Sequence, residues 1–200
     1  MFRIRSDLLI LVLVVVASAC THNVVPKVTP QKIPSVQPPI NSRALLLLTT
    51  SFEGYTTQSS SGVHHYNYRL GQSVAAALSD LIAQSFARGE TRHLADAEVL
   101  QWLSAPADTS TADLLLIPYF ESGGARERAF DAVAEARFRV DVRSLRSKET
   151  FAWTVAGRSA RVWSSRKGLT GSALEQALQA LSDTLAAHRA DLEVGPVPPL

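Results

Sequence analysis

The stretch over 136–145 constrains the fold more than any other. Phe138, Val140 and Val142 alternate there with Arg137, Arg139, Asp141 and Arg143. Alternation with period two places one set of side chains on each face of a strand, one dry and one wet. A polar turn follows at Arg146-Ser147-Lys148-Glu149. Phe151, Trp153 and Val155 then alternate with Thr150, Ala152 and Thr154. The two runs read as an antiparallel β-hairpin. A sheet wet on one face must bury the other against something apolar.

Helices supply the cover. Over 70–88, Val74, Leu78, Leu81, Ile82 and Phe86 recur at helical spacing, and Gly89 reads as the stop. A last helix opens at Ser172, where Ser172 and Glu175 make a capping-box pattern. Leu174, Ala177, Leu178, Leu181, Leu185 and His188 share its apolar face to about residue 191. A short helix over 96–103 turns Val99, Leu100 and Leu103 inward, packs Trp102 and ends at Pro106. The apolar runs 44–50 and 114–117 read as strands, the first reaching toward Phe52. Pro118 then marks a strand end or an edge position. Residues 56–65 are small and polar and read as a loop, and Gly123-Gly124 opens a mobile loop. A further strand is expected over 158–163, with Trp153 and Trp163 as core or hairpin residues. The expected fold is α+β, a two-layer sandwich. Its mostly antiparallel sheet of about 4–5 strands is covered by two long amphipathic helices.

The N-terminal residues belong to a different kind of segment. Each residue of 8–16 is Leu, Ile or Val, behind Arg3 and Arg5 and ahead of Ala17-Ser18-Ala19-Cys20. A bilayer-spanning helix needs roughly 20 apolar residues. This shorter run, with small residues after it, has the form of a signal-peptide core and cleavage site. Residues 17–20 resemble the lipobox of bacterial lipoproteins. The resemblance implies cleavage between Ala19 and Cys20, transfer of diacylglycerol to the Cys20 thiol, and acylation of the new amine. One acyl chain holds a protein only marginally, whereas two or more anchor it stably. Thr21 and His22 follow where a retained lipoprotein would carry aspartate. By the same resemblance, this implies the periplasm-facing side of the outer membrane. Cys20 is the only cysteine, so the domain is expected to hold itself together by apolar burial without disulfides.

Four segments result. Residues 1–19 are the signal, and 20–41 are the lipidated cysteine with a proline-rich linker. Residues 42–193 form an α+β periplasmic domain, and 194–200 are a flexible proline-rich tail. Prolines at 26, 30, 34, 38 and 39 favour polyproline II in the linker. At about 3.1 Å per residue, it could hold the domain up to roughly 60 Å from the lipid.

No hydrolase, zinc-protease, phosphate-loop or dinucleotide motif occurs, so no catalytic residue, cofactor or metal is expected. His64 and His65 are adjacent, and on a strand they point to opposite faces. Glu53 and His93 could join them only through the fold. The net charge of +2 argues against a nucleic-acid partner. Arg137, Arg139 and Arg143 form a basic stripe, interrupted by Asp141. It reads either as a solvated face or as a contact for an acidic partner such as lipopolysaccharide phosphates.

Several features together resemble small periplasmic lipoproteins of the YajG and LptE kind. They are the lipobox, Gly71 leading the first helix, the run Ala112-Asp113-Leu114-Leu115-Leu116-Ile117-Pro118, and the strand-turn-strand from Arg146 to Trp153. The resemblance implies a membrane-anchored accessory or assembly factor that binds an envelope protein or glycolipid. Alternatives are a structural component of an envelope complex, with homo-oligomers open, and a periplasmic hydrolase with a cryptic site.

Overall fold

The computed structural model describes residues 20–61, 64–104, 112–127, 132–161 and 166–193. Its centre is a five-stranded sheet of order β5-β2-β6-β7-β8. Strand β2 (Ile40–Thr49) runs parallel to both neighbours, β5 (Phe86–Leu94) and β6 (Leu114–Glu127). Strands β6, β7 (Ala132–Ser144) and β8 (Thr150–Arg161) follow antiparallel. The alternating hairpin is present as β7–β8, with Phe138 opposite Val155 and Val140 opposite Trp153. The strand expected over 158–163 is the continuation of β8, and Trp163 lies outside the described residues.

The continuous apolar runs have a simple cause. Helices α2 (Leu70–Ser85) and α4 (Arg166–Ala187) contribute to the larger core on one face of the sheet. That core takes Ala44, Leu46 and Leu48 from β2 and Leu114 and Leu116 from β6. A second cluster on the opposite face holds Leu45, Leu47, Leu115 and Ile117 with Val99 of α3 (Asp96–Ser104). Strands buried on both faces lose the period-two signature. Each fully buried leucine contributes about 1.5–3 kcal/mol. In β7, Phe138, Val140 and Val142 face the larger core while Arg137 and Arg139 meet solvent, so the alternation survives there.

A second sheet of order β1-β4-β3 lies beside the first. Strands β3 (Thr56–Ser61) and β4 (His64–Arg69) pair antiparallel where a loop is expected, and β1 (Cys20–Val24) pairs parallel with β4. The expected fold class is therefore corrected. There are two sheets, both mixed in direction, instead of one mostly antiparallel sheet. Among the described residues five α-helices, only three of seven residues or more, stand in place of two long covering helices. Period tells which face of an element is dry and says nothing about strand direction or partner. Strands held chiefly by backbone pairing carry no apolar signal at all.

Several boundaries move for local reasons. Helix α2 ends at Ser85 because Phe86 is extended and buried as the first residue of β5, so Gly89 lies in a strand and is not a helix stop. Pro118 lies inside β6, just beyond Leu116, the last residue of β6 paired with β2. The missing N–H therefore falls where β6 is locally an edge. Gly123 and Gly124 belong to β6 and not to a loop. A register shift between Phe120 and Ser122 and a φ of +130° at Gly124 bend the strand there. Helix α4 opens at Arg166, so Ser172 and Glu175 sit inside it and do not cap it.

Residues 25–41 do not stand away from the domain as a spacer. They run along α2 and α4 as a strap. Thr29 N donates to Glu175 Oε1 at 2.9 Å, Ser182 Oγ to the Pro34 carbonyl at 2.6 Å, and Val36 N to Ser85 Oγ at 3.1 Å. Ile33, Val36 and Ile40 are buried. A Cβ on Gly171 would stand 2.2 Å from the Lys27 carbonyl oxygen, so the strap can cross α4 only over a glycine. Pro30–Lys32 form a 3-10 turn inside it, with Lys32 N donating to the Thr29 carbonyl at 3.0 Å and Ile33 N to the Pro30 carbonyl at 2.9 Å, so the run is not the continuous polyproline II that its prolines favour.

Candidate functional site

The lipid-attachment residue predicted from the sequence begins β1. Cys20 pairs with His64, and the ladder runs through Thr21–His65, His22–Tyr66 and Asn23–Asn67 to Val24–Tyr68. Ala19 lies outside the described residues. His22 Nε2 is 3.1 Å from His64 Nδ1, and the His22 ring stacks on Tyr66 at 5.1 Å. Asn67 Nδ2 donates to Asn23 Oδ1 at 3.3 Å. His65 turns the other way, its Nδ1 2.8 Å from Ser60 Oγ. The adjacent histidines thus take separate partners. His93 pairs with Glu53 at 3.0 Å on a broad, open cleft of about 900 Å³ that Arg69 and Gln72 also line. Among the described residues no three His, Cys, Asp or Glu side chains are grouped to hold a metal ion.

A second, apolar cleft of about 430 Å³ opens where β2 and β6 part after the Leu46–Leu116 pair. Helix α1 (Thr50–Glu53) follows β2 directly. Its N-cap, Thr49 Oγ1, accepts from Phe52 N at 3.0 Å and helps hold the turn that buries Phe52. Phe52 stacks on Phe120 at 4.9 Å, and Tyr55 stacks on the same ring at 4.6 Å. Leu100 and Leu103 of α3 form the opposite wall, with Tyr119 at the mouth. Leu100 is 67% exposed and Tyr119 40%. Asp96, at the start of α3, accepts from the Ser51 hydroxyl and, at 3.0 Å, from the Ser51 amide. These bonds, the hydroxyl's first, hold its carboxyl below the usual carboxylate range and fasten α3 beside the cleft.

The arginine stripe adjoins this cleft and is divided. Arg143 Nη1 donates to the Leu103 carbonyl at 2.7 Å and braces α3. Arg137 pairs with Glu121 at 2.7 Å and Arg139 with Asp141 at 2.5 Å, both on the exposed face. Tyr119 stands directly across the strand pair from Arg139. Burial raises the Tyr119 phenol above its ordinary value, and Asp141 adds to the shift while Arg139 opposes it. The phenol stays neutral and able to donate. Chemically, the arrangement can take up an apolar group and place a polar neighbour of that group beside two arginine–carboxylate pairs.

Nothing in the sequence pattern marks the cleft. Its aromatic residues, Phe52 and Tyr55 after β2 and Tyr119-Phe120 in β6, are too far apart in sequence for any periodicity to join them. The two other features singled out earlier are structural. His188 stacks on Trp153 at 5.3 Å and bonds Asp191 at 3.0 Å. Trp102 packs on the smaller cluster under the Arg92 guanidinium.

No family model matches the chain, and no curated protein matches its sequence. Among solved structures, it is similar to protein XCC0632 from Xanthomonas campestris, described under family-model DUF330. The TM-score there is 0.49 at 10% identity, covering 84% of this chain and 95% of that one. The PelC dodecamer from Paraburkholderia phytofirmans gives 0.40 at 14% identity, over 74% of this chain and 90% of that one. Lipoprotein GNA1162 from Neisseria meningitidis gives 0.33 at 14% identity, over 74% and 99%. With every score below 0.5, these likenesses assign neither a family nor a function.

Proposed function

We propose that this chain is a lipid-anchored protein of the bacterial cell envelope, facing the periplasm at the outer membrane. It acts as a non-enzymatic accessory or assembly factor, binding an envelope protein or glycolipid through the apolar cleft and its arginine rim. The location rests on the lipobox resemblance at residues 17–20. The binding role rests on one observation above all, the exposed Leu100 at the mouth of a cleft walled by Phe52, Tyr55 and Phe120. A single exposed leucine is ordinary, but Leu100 is continuous with the apolar cavity and with half-exposed Tyr119, and together they make a patch that another apolar group can cover.

Affinity capture of the full-length anchored chain in mild detergent tests the reading, with Leu100→Glu as the comparison. The intact chain should recover a partner protein or glycolipid that the variant loses. Recovery of the chain alone under several conditions, or equal recovery by the variant, would overturn it. Arg137→Glu combined with Arg139→Glu separates the rim from the cleft, since unchanged binding at low salt removes the arginines from the site. The location has its own check. Cys20→Ala should leave the fold intact and release the protein from the membrane.

A further inference from the structure

We infer that the lipid anchor is held rigidly on the small sheet, so that the end of that sheet carrying Cys20, Ser61 and His64 faces the phospholipid headgroups of the bilayer carrying the anchor. This rests on the reading of Cys20 as the lipidated residue. It adds which surface of the domain meets the membrane.

Three observations carry it. The first is that β1 begins at Cys20 itself, with five consecutive parallel pairs to β4. No free residue separates the anchor from the fold. The second is the strap. Residues 25–41 are tied to α2 and α4 by Thr29, Pro34 and Val36, with Ile33 and Val36 buried. β1 is thereby secured from its far end as well as along its length. The third is the place of Cys20 in the ladder. It stands opposite His64, the first residue of β4, and His64 pairs with Ser61, the last residue of β3. Neighbouring strands lie about 4.8 Å apart, so the Cys20 backbone is within about 10 Å of Ser61.

Acyl chains on Cys20 enter the hydrocarbon, and the residue itself sits at its edge. The headgroup zone on each side is roughly 5–8 Å deep, half the difference between about 30 Å of hydrocarbon and about 40–45 Å in all. The side chains nearest the anchor then fall inside that zone. They are His22, His64 and His65, all exposed, with half-buried Tyr66 stacked on His22. Imidazoles and a phenol suit a layer that is polar yet dehydrated, where tyrosine concentrates in membrane proteins. The turn after β7 lies far along β6 from the contact between the two sheets. Gly124 of β6 lies against Thr57 of the small sheet, whereas Leu114, at the other end of β6, pairs with Ser144. Ten residues of strand put roughly 33 Å between those ends.

The chain suits a direct test, because its only cysteine is taken by lipid and an added one is labelled alone. Ser60→Cys and Ser147→Cys are each labelled with a fluorophore, and the lipidated protein is reconstituted in phosphatidylethanolamine–phosphatidylglycerol vesicles containing headgroup-quencher lipid. Ser60→Cys should be quenched at least threefold more than Ser147→Cys. In parallel, Asn23→Cys with Asn67→Cys should form an intramolecular disulfide under mild oxidation, since paired strand positions fall within the 4.4–6.8 Å Cα range of such bonds. Asn23→Cys with Ser147→Cys should not. Equal quenching at the two positions would overturn the membrane-facing surface. Failure of the Asn23–Asn67 bridge would overturn the rigid anchor. The mass of the N-terminal peptide keeps these results distinct from failure of the underlying location. Absence of acyl groups on Cys20 would overturn that location and this inference together, whereas equal quenching with the acyl groups present would overturn this inference alone.

Discussion

In the five-stranded sheet, β2 and β6 carry Leu45 to Leu48 and Leu114 to Ile117, all buried, and both faces of those strands are covered. In the three-stranded sheet, β3 is Thr-Thr-Gln-Ser-Ser-Ser and alternates only between exposed and half-buried. In β4, Tyr68 alone is fully buried. The first sheet is held by burial, at about 25 cal/mol for each Å² of apolar surface removed from water. The second is held by ladder hydrogen bonds, each contributing only about 0.5–1.5 kcal/mol net, and by its seat on β6. Two sheets in one domain thus differ in what stabilises them, and that difference can be measured.

The largest effect should come from the core of the large sheet. Phe138→Ala removes a fully buried ring facing α2 and α4 and should cost about 3–5 kcal/mol in urea unfolding. Tyr66→Ala, on the small sheet, should cost about 1 kcal/mol. Equal costs would erase the contrast between the sheets. Next comes Gly157 in β8. A Cβ there would lie 2.0 Å from the Ala173 carbonyl oxygen and 2.5 Å from Ala177 N, so α4 must move. Gly157→Ala should lower stability by about 1–3 kcal/mol, and an unchanged melting temperature would show that helix and strand are less tightly seated than described.

Asp113 sharpens the comparison through pH. Its carboxylate accepts from Arg43 N at 2.9 Å and pairs with Arg43 at 3.1 Å and Arg146 at 2.9 Å, tying the start of β2 to the turn after β7. Burial alone would raise its pKa. The Arg43 side-chain and backbone hydrogen bonds, with the charges of Arg43 and Arg146, outweigh burial and hold the carboxyl below the usual carboxylate range. A group depressed in the folded state stabilises above its unfolded value and loses that contribution as pH falls through the folded one. Stability of the intact chain should therefore fall below about pH 4. Asp113→Asn should cost about 1–3 kcal/mol at neutral pH and flatten that acid limb. An unaltered limb would assign the acid sensitivity to other carboxylates. The smallest effect belongs to the strap. Lys32 meets Glu175 at 3.4 Å with its own side chain mostly in solvent. Lys32→Ala should change stability by about 0.5 kcal/mol or less. A larger loss would mean that the strap depends on this ion pair more than on buried Ile33 and Val36.

How much was legible follows from what each residue reports. The β7–β8 hairpin was readable down to which side chains face inward, because one face is wet. Helix α2 was readable from apolar spacing, with an error of a few residues where Phe86 serves a strand and not the helix it follows, whereas the spacing of α3 turned Leu100 inward and the structure leaves it 67% exposed. The capping-box reading failed because the helix opens six residues earlier, at Arg166, which leaves Glu175 mid-helix and free to take the Thr29 amide from a segment 146 residues away in sequence. The cleft was illegible because its walls come from β2, α1 and the turn after it, α3 and the middle of β6, which only the fold brings together.

The amino-acid order by itself determined which positions are dry. It set the apolar faces of α2 and α4, the inward side of β7 and β8, and the runs that had to be buried on both sides. It also supplied residues 17–20, on which the proposed attachment rests. Only the tertiary structure decided strand direction, the existence of the small sheet, the docking of residues 25–41, and the meeting of Phe52, Leu100 and Tyr119 at one opening. The physical reason is that side-chain hydrophobicity is written residue by residue. Backbone pairing is not, because nearly every residue offers the same N–H and C=O, and only the assembled chain determines which of them meet.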